Sequence, residues 1–251
     1  MTGPHGIVVW TVAVTDVPEP LWPRLAALLD DGERARHARY VFPRDRRQHV
    51  AAHALKRLLL SALAGLPPQA WTFETAPGGK PRVSRRAGPC FNLSHCDGLV
   101  ACAASRDVEL GVDVEPLARR APLDLAPRYF APEEERWLRS LPAAEQPRGF
   151  LRLWTLKEAF IKATGRGLAQ HLHDFAFSFE PLQVTFRDDA LGDSRAWRFE
   201  QHQLDGEHLL ALAWRANAPE TPPTIRQVRF EALLAEAAIS TAASRPQPTQ
   251  C

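Results

Sequence analysis

Three acids and a lysine carry the strongest chemical signal in this chain. The run Leu153-Trp154-Thr155-Leu156-Lys157-Glu158-Ala159-Phe160-Ile161-Lys162 reads as a helix whose apolar face is Leu153, Leu156, Phe160 and Ala163. Glu158 and Lys162 stand four residues apart, one turn along the same side. Upstream, Gly111-Val112-Asp113-Val114-Glu115 reads as a short strand, so Asp113 and Glu115 point to one face. The flanking Leu110, Val112 and Val114 mark that strand as buried, where two neighbouring like charges need neutralising. Mg²⁺, with its preference for hard oxygen ligands, is the natural neutraliser. An isolated D-x-E is usually a solvated face, and a helical Glu–Lys pair contributes only about 0.3–0.5 kcal/mol. Their coincidence in one chain points to a cation and a phosphate gripped by rigid elements.

Weaker signals surround these four. Phe91-Asn92-Leu93-Ser94-His95-Cys96-Asp97-Gly98 is a strand running into a turn, where His95 either caps the turn or donates to an anion. Lys80 follows Pro77-Gly78-Gly79, a turn that serves equally as a generic hairpin tip or as a backbone approach to phosphate. Only Lys56, Lys80, Lys157 and Lys162 are lysines among 31 basic residues. A lysine kept in so arginine-rich a chain implies a compact point charge that a planar guanidinium does not replace. Arg34, Arg36, Arg39, Arg44, Arg46 and Arg47 form a basic stretch, either a solvated face or a landing site for a polyanion or acidic partner. Glu133, Glu134 and Glu135 follow Pro132 in a helical first turn, where the dipole alone favours acids.

The elements that must position these residues follow from periodicity and turn chemistry. A strand at Ile7 to Val14 precedes helices at about Leu21 to Leu29, Glu33 to Tyr40 and Asp45 to Leu63, with Asp45 as N-cap of the last. Short strands follow at Trp71 to Thr75, Cys90 to Ser94, Leu99 to Ser105 and Glu109 to Glu115. The second half repeats this grammar. Helices at Pro132 to Ser140 and Arg148 to Thr164 lead to strands at Phe175 to Phe179, Gln183 to Phe186, Trp197 to His202 and His208 to Trp214. The expected fold is α+β: two similar lobes related by a pseudo-twofold, residues 1–112 and 113–223, with the active site in the cleft between them. Residues 224–251 hold a last helix, Gln227 to Ile239, and a tail from Ser240 whose composition is too polar to fold.

Composition excludes several classes. A formal net charge of +2 argues against wholesale nucleic-acid binding. No apolar run reaches the roughly 18 residues needed to cross a bilayer, and the apolar N-terminal run has no basic residues ahead of it, unlike a signal peptide. Cys90, Cys96, Cys102 and Cys251 form no zinc spacing and suit a reduced, cytoplasmic protein.

Taken in order, Phe91-Asn92-Leu93-Ser94-His95, Gly111-Val112-Asp113-Val114-Glu115, Tyr129-Phe130-Ala131-Pro132-Glu133-Glu134 and Trp154-Thr155-Leu156-Lys157-Glu158-Ala159 resemble the motifs of the 4′-phosphopantetheinyl transferases. The length and two-lobe layout look like the long, monomeric Sfp type. The resemblance implies transfer of the 4′-phosphopantetheine arm of coenzyme A to a serine of an acidic acyl or peptidyl carrier protein, releasing adenosine 3′,5′-bisphosphate. It implies Mg²⁺ on Asp113, Glu115 and Glu158, with Glu158 or Glu134 as general base and Lys162 on the pyrophosphate. It further implies coenzyme contacts from Lys80, Ser94 and His95, and from Arg36 and Arg39 in the N-terminal region. Cys96 stands where the family commonly has Ser. Two other functions fit the same residues: a non-catalytic module binding coenzyme A or carrier, and a Mg²⁺-dependent pyrophosphohydrolase.

Overall fold

A computed structural model describes residues 6–85, 88–167, 170–216 and 222–243, without side chains from 239 onward. The protein is α+β. Its largest sheet has four strands. β1 (Val8–Ala13) runs antiparallel to β5 (Leu99–Ser105), which pairs antiparallel with β4 (Cys90–Cys96). A second sheet orders β6 (Leu110–Pro116), β10 (His208–Arg215) and β9 (Trp197–Leu204), all antiparallel. Two hairpins complete the β structure: β2 (Phe73–Thr75) with β3 (Pro81–Val83), and β7 (Phe175–Phe179) with β8 (Leu182–Phe186). The helices are α1 (Trp22–Ala26), α2 (Asp31–Arg39), α3 (Pro43–Ala64), α4 (Ala126–Tyr129), α5 (Pro132–Ser140), α6 (Gln146–Thr164) and α7 (Phe230–Ala243).

Strand alternation explains how these elements stack. Val9 of β1, Ala101 and Ala103 of β5, Val112 and Val114 of β6, and Leu210 and Leu212 of β10 meet in one apolar cluster, so the two sheets pack on each other. Alternate residues of the first sheet, Val8, Trp10, Val100 and Cys102, face Leu55, Leu58 and Leu59 of α3. Ala211 and Ala213 of β10 face Leu156, Ala159 and Phe160 of α6. Each sheet thus has a long helix on its outer side. Between β4 and β6 no backbone ladder closes the gap. Side chains bridge it instead: the Val112 N–H donates to Asn92 Oδ1 at 2.9 Å and the Val114 N–H to Ser94 Oγ at 3.2 Å.

Several elements differ from their sequence expectation. Asp45 does not cap α3: the helix starts at Pro43, and the Phe42 carbonyl accepts from Asp45 and Arg46. Proline suits the first helical position because its missing N–H is an orphan there anyway. The helix expected over Leu21 to Leu29 ends early, at Ala26. Two strands were not anticipated, β3 and β11 (Thr224–Gln227). β11 is short and exposed, without an alternating apolar pattern to announce it. It pairs parallel with β1, giving the order β11-β1-β5-β4. α7 begins at Phe230 rather than Gln227 and continues through 240–243, into the segment expected to be tail; residues 244–251 lie outside the described set. The boundary placed at Pro219 to Pro223 also falls mostly outside it.

Candidate active site

β6 and α6 build the site together. With Leu110, Val112 and Val114 committed to the inter-sheet cluster, Gly111, Asp113 and Glu115 must face α6. The contact is close because Gly111 has no side chain. A Cβ there would lie 2.1 Å from the Ala159 carbonyl oxygen and 2.4 Å from the Ala163 nitrogen. This approach brings Lys162, one turn past Glu158, onto Asp113.

Asp113 is buried and its two oxygens differ. Oδ1 accepts from Lys162 Nζ at 2.7 Å and from Ser94 Oγ at 2.9 Å. Oδ2 is buried without a hydrogen-bond partner. Such an orphan is costly unless a ligand satisfies it. Lys162 also donates to Ser94 Oγ at 2.9 Å and to the Val112 carbonyl at 3.2 Å. Glu115 is partly buried and ion-paired with Arg119, whose guanidinium lies 5.7 Å from the Trp154 ring. The Glu115 carboxyl is pushed up, first by burial and then by Asp113; Arg119, Trp154 and Lys162 pull it back. Glu158 is raised for the same two reasons. Carboxyls raised by burial and by the Asp113 charge favour whatever positive species can reach them, a proton or a cation. Among the described residues no three acids, histidines or cysteines are already drawn together as a closed metal cluster. The trio is electrostatically coupled through Asp113, while Lys162 and Arg119 take part of its charge.

Other expected site residues are placed differently. Ser94 is turned inward: its proton goes to Asp113 Oδ1 and its lone pairs receive Lys162 and the Val114 N–H. It organises the carboxylate instead of facing a ligand. Lys80 spends its ammonium on the Leu110 carbonyl at 2.8 Å and the Ala163 carbonyl at 2.9 Å, tying the start of β6 to the end of α6. It borders a hollow of about 730 Å³ under the β2–β3 hairpin, lined also by Cys90, Glu109 and Gly165 and by none of the three acids.

Glu134 is the clearest departure. It is 1% exposed, and its carboxylate pairs with Lys157 at 2.8 Å while accepting from the Ala131 N–H at 2.9 Å and the Phe177 N–H at 2.8 Å. Lys157 in turn donates to the Leu172 and Phe175 carbonyls. Glu134 is therefore a buried cap joining α5 to β7, and it stands apart from the trio.

His95 is exposed at the end of β4. Its pKa is held below the ordinary histidine value by partial enclosure, then by Lys162, His53 and Arg36. Arg36 on α2 thus contributes to the field at His95; Arg39 is exposed on the last turn of that helix. Gln48 of α3 donates to the Cys96 carbonyl and fixes the helix beside the strand end. Burial, followed by the charges of Glu115, Asp113 and Asp97, pushes the Cys96 thiol up to about 12, so it stays a neutral thiol.

Sequence reasoning missed two contributors to the site, Asn92 and Arg119, and one buried acid elsewhere, Glu33. Asn inside an apolar strand is a readable anomaly, because strands disfavour it. Arg119 lies four residues past Glu115 in irregular chain, with no periodicity to mark it. Glu33 is buried under α3, bonded to Lys56 at 2.6 Å, His53 at 2.8 Å and Arg57 at 2.9 Å.

Comparison with known proteins agrees with this architecture. Residues 109–213 match the 4′-phosphopantetheinyl transferase superfamily, and residues 18–107 match the N-terminal part of 4′-phosphopantetheinyl transferases. The chain is 37% identical over 208 residues to the 4′-phosphopantetheinyl transferase HetI of Nostoc sp., covering 81% of this chain and 85% of that protein. It is 37% identical over 190 residues to psf-1 of Bacillus pumilus, covering 74% and 78%. With Sfp of Bacillus subtilis it shares 28% over 213 residues, covering 84% and 92%. The chain belongs to the 4′-phosphopantetheinyl transferase superfamily. Within it the protein is an Sfp-type enzyme, a 4′-phosphopantetheinyl transferase.

Proposed function

We propose that this enzyme moves the 4′-phosphopantetheine arm of coenzyme A onto a serine of an acyl or peptidyl carrier protein, at a Mg²⁺ site formed by Asp113, Glu115 and Glu158. The observation that carries the reading is Asp113 Oδ2, a buried oxygen without a hydrogen-bond partner, beside two carboxyls whose protonation it influences. Hard oxygen donors of this kind fit Mg²⁺. Bound there, the cation would supply charge withdrawal from the pyrophosphate oxygens.

The chain's own residues supply the rest. Lys162, already within reach of Asp113, offers a compact positive charge to the same phosphates. Ser94 holds Asp113 in one rotamer through its hydroxyl. Glu158 accepts the proton of the carrier serine, directly or through a water. The serine oxygen forms a bond to the β-phosphorus as the bond to the bridging oxygen breaks. Adenosine 3′,5′-bisphosphate leaves with that electron pair. His95 and Arg36, on the rim, face the nucleotide end. Transfer of this type depends on positioning and electrostatics, which suits a site anchored on a strand and a helix.

The same reading treats the two sheet-and-helix units as similar lobes, residues 1–112 and 113–223, related by a pseudo-twofold, with the site at their junction. It makes the protein a monomer acting on an acidic carrier. A cytoplasmic setting is supported by the free thiols of Cys90, Cys96 and Cys102; no described helix is long and apolar enough to cross a membrane.

Mass spectrometry of an apo-carrier incubated with coenzyme A and Mg²⁺ tests the proposal. Wild type should add one phosphopantetheine per carrier. Glu158→Gln and Asp113→Asn should slow transfer by roughly 10²-fold or more and bind Mg²⁺ more weakly, with an unchanged unfolding midpoint for Glu158→Gln. Near-normal transfer by both variants would remove the assignment. Cleavage of coenzyme A without labelling would instead identify a pyrophosphohydrolase.

A further inference from the structure

Arg119 holds one of the three acids that the proposed reaction needs. Glu115 stands at the end of β6, and its Oε1 accepts from the Arg119 guanidinium. The two side chains are 15% and 39% exposed, so the pair lies at the edge of the site. Local geometry sets this contact. The Arg119 N–H donates to the Pro116 carbonyl at 3.0 Å, a tight turn directly after the strand. The Leu117 N–H donates to the Glu207 carbonyl at 2.7 Å, which pins that turn to the loop between β9 and β10. Residue 119 is thereby returned to residue 115. The guanidinium is steadied by the Trp154 ring of α6, whose centroid is 5.7 Å away. Trp154 in turn stacks on Phe150 at 6.0 Å and meets Tyr129 edge-on at 6.3 Å.

The two bases of the site are placed unlike each other. Lys162 binds Asp113 Oδ1, Ser94 Oγ and the Val112 carbonyl, and it leaves Asp113 Oδ2 bare. It orients a carboxylate without covering the outer oxygen. Arg119 instead sits on the carboxylate of Glu115, which a divalent cation would also claim. When ionised, Asp113, Glu115 and Glu158 carry three negative charges, against two positive ones on Lys162 and Arg119. The single charge left over attracts a divalent cation weakly. With Arg119 withdrawn two charges are left, which match it. A partly exposed ion pair contributes little stability, so Arg119 is displaced at small cost, whereas Lys162 is held by three partners.

We propose that Arg119 is an exchangeable counter-ion of Glu115: it keeps the carboxylate until the divalent cation and the coenzyme pyrophosphate arrive together, then yields Glu115 and turns its charge to the pyrophosphate. The inference rests on the Mg²⁺ site proposed above. Its consequence is coupled loading. A cation alone must evict Arg119 and leave that charge uncompensated beside it, while pyrophosphate alone meets three carboxylates. Each ligand therefore eases the entry of the other, by the same factor in both directions.

Titration with Mn²⁺, the free ion counted by electron paramagnetic resonance, tests this with and without coenzyme A. No carrier is present, so no turnover is needed, and the coenzyme's own Mn²⁺ binding is subtracted. Without coenzyme A, Arg119→Gln should bind Mn²⁺ roughly tenfold more tightly than wild type. With coenzyme A the two should differ much less, so the gain in Mn²⁺ affinity that the coenzyme brings should shrink in the variant. Arg119→Lys, which keeps the charge, should stay closer to wild type. Arg120→Gln, one residue on and exposed, should leave the coupling as it is. Unchanged or weaker Mn²⁺ binding by Arg119→Gln without coenzyme A would mean that the arginine merely orients Glu115, and would overturn the proposal. An equal effect from Arg120→Gln would reduce it to general surface charge and overturn it too. Wild type that binds no Mn²⁺ even with coenzyme A is a different failure, which removes the metal site beneath the proposal.

Discussion

The four lysines make the residue-scale point. Each ammonium is at least partly buried and meets two or more partners: Lys56 Glu33 and His53, Lys80 two carbonyls, Lys157 Glu134 and two carbonyls, Lys162 Asp113, Ser94 and the Val112 carbonyl. A tetrahedral ammonium can serve acceptors arriving from different directions, whereas a planar guanidinium cannot. Their rarity was a readable signal, but it marked burial more than catalysis: only Lys162 stands at the acid trio. The Glu134–Lys157 pair gives a direct test. Burial pushes Glu134 up and Lys157 down, and their mutual attraction opposes both shifts. Removing one partner strands the other. Glu134→Gln should cost about 3–5 kcal/mol of stability in urea unfolding, with Mg²⁺ affinity of the folded fraction unchanged; a stable variant with weakened Mg²⁺ binding would return Glu134 to the metal site. His49 supplies the pH dependence. Burial, followed by the neighbouring His53 charge, lowers its pKa to about 4. The unfolded chain then takes up this proton near pH 6.5, before the folded one does. Stability should be full above about pH 6.5 and fall toward pH 4, by at most about 3 kcal/mol from this group. Urea midpoints measured at pH 7 and 4.5 should separate in wild type, and draw closer in His49→Gln, which lacks a titrating group.

At the element scale, the site is a contact between one strand and one helix, and Gly111 sets their separation. Glu158 and Lys162 hang from α6 while Asp113 and Glu115 stand on β6, so a shift between the two elements misaligns all four at once. A methyl group at 111 has no room against the α6 backbone. Gly111→Ala should therefore cost about 3 kcal/mol, the upper range of overpacking, and lower kcat by roughly 10²-fold. Enzyme kinetics and calorimetry on one preparation would read both. A stable, fully active variant would mean that the spacing is less critical than the close contact implies. Gly78 plays a related part in the β2–β3 hairpin, because a Cβ there would strike the Gly165 carbonyl oxygen at 1.8 Å. The Gly-Gly turn, open in sequence to a hairpin tip or an approach to phosphate, packs its backbone against the end of α6.

For the whole molecule, the decisive feature is the return of the chain to its beginning. After the second sheet is complete, β11 adds to β1 in parallel, and α7 delivers Phe230, Leu233 and Leu234 to the core under α3. These side chains are 1%, 5% and 8% exposed, so the C-terminal segment belongs to the first sheet's core. Phe230→Ala should destabilise the protein by about 3–5 kcal/mol, and removal of residues 224–251 should cost more. Calorimetric traces for both would check this. An unchanged midpoint in the truncated chain would show that β11 and α7 are dispensable.

The amino-acid sequence by itself determined the secondary structure of nearly every long element, because periodicity and turn chemistry are local. It also pointed to Asp113, Glu115 and Glu158, because D-x-E on a buried strand and Glu-x-x-x-Lys on an amphipathic helix, each ordinary alone, rarely coincide. Tertiary structure alone decided which polar groups were free. Ser94, Lys80 and Glu134 look as available in sequence as Asp113 does. They are consumed by Asp113 and Lys162, by two carbonyls, and by Lys157 with two N–H groups, all set by contacts between distant segments. The β4–β6 gap bridged by Asn92 and Ser94, and the parallel pairing of β11 with β1, were hidden for the same reason: both depend on which strands become neighbours, and no local pattern encodes that.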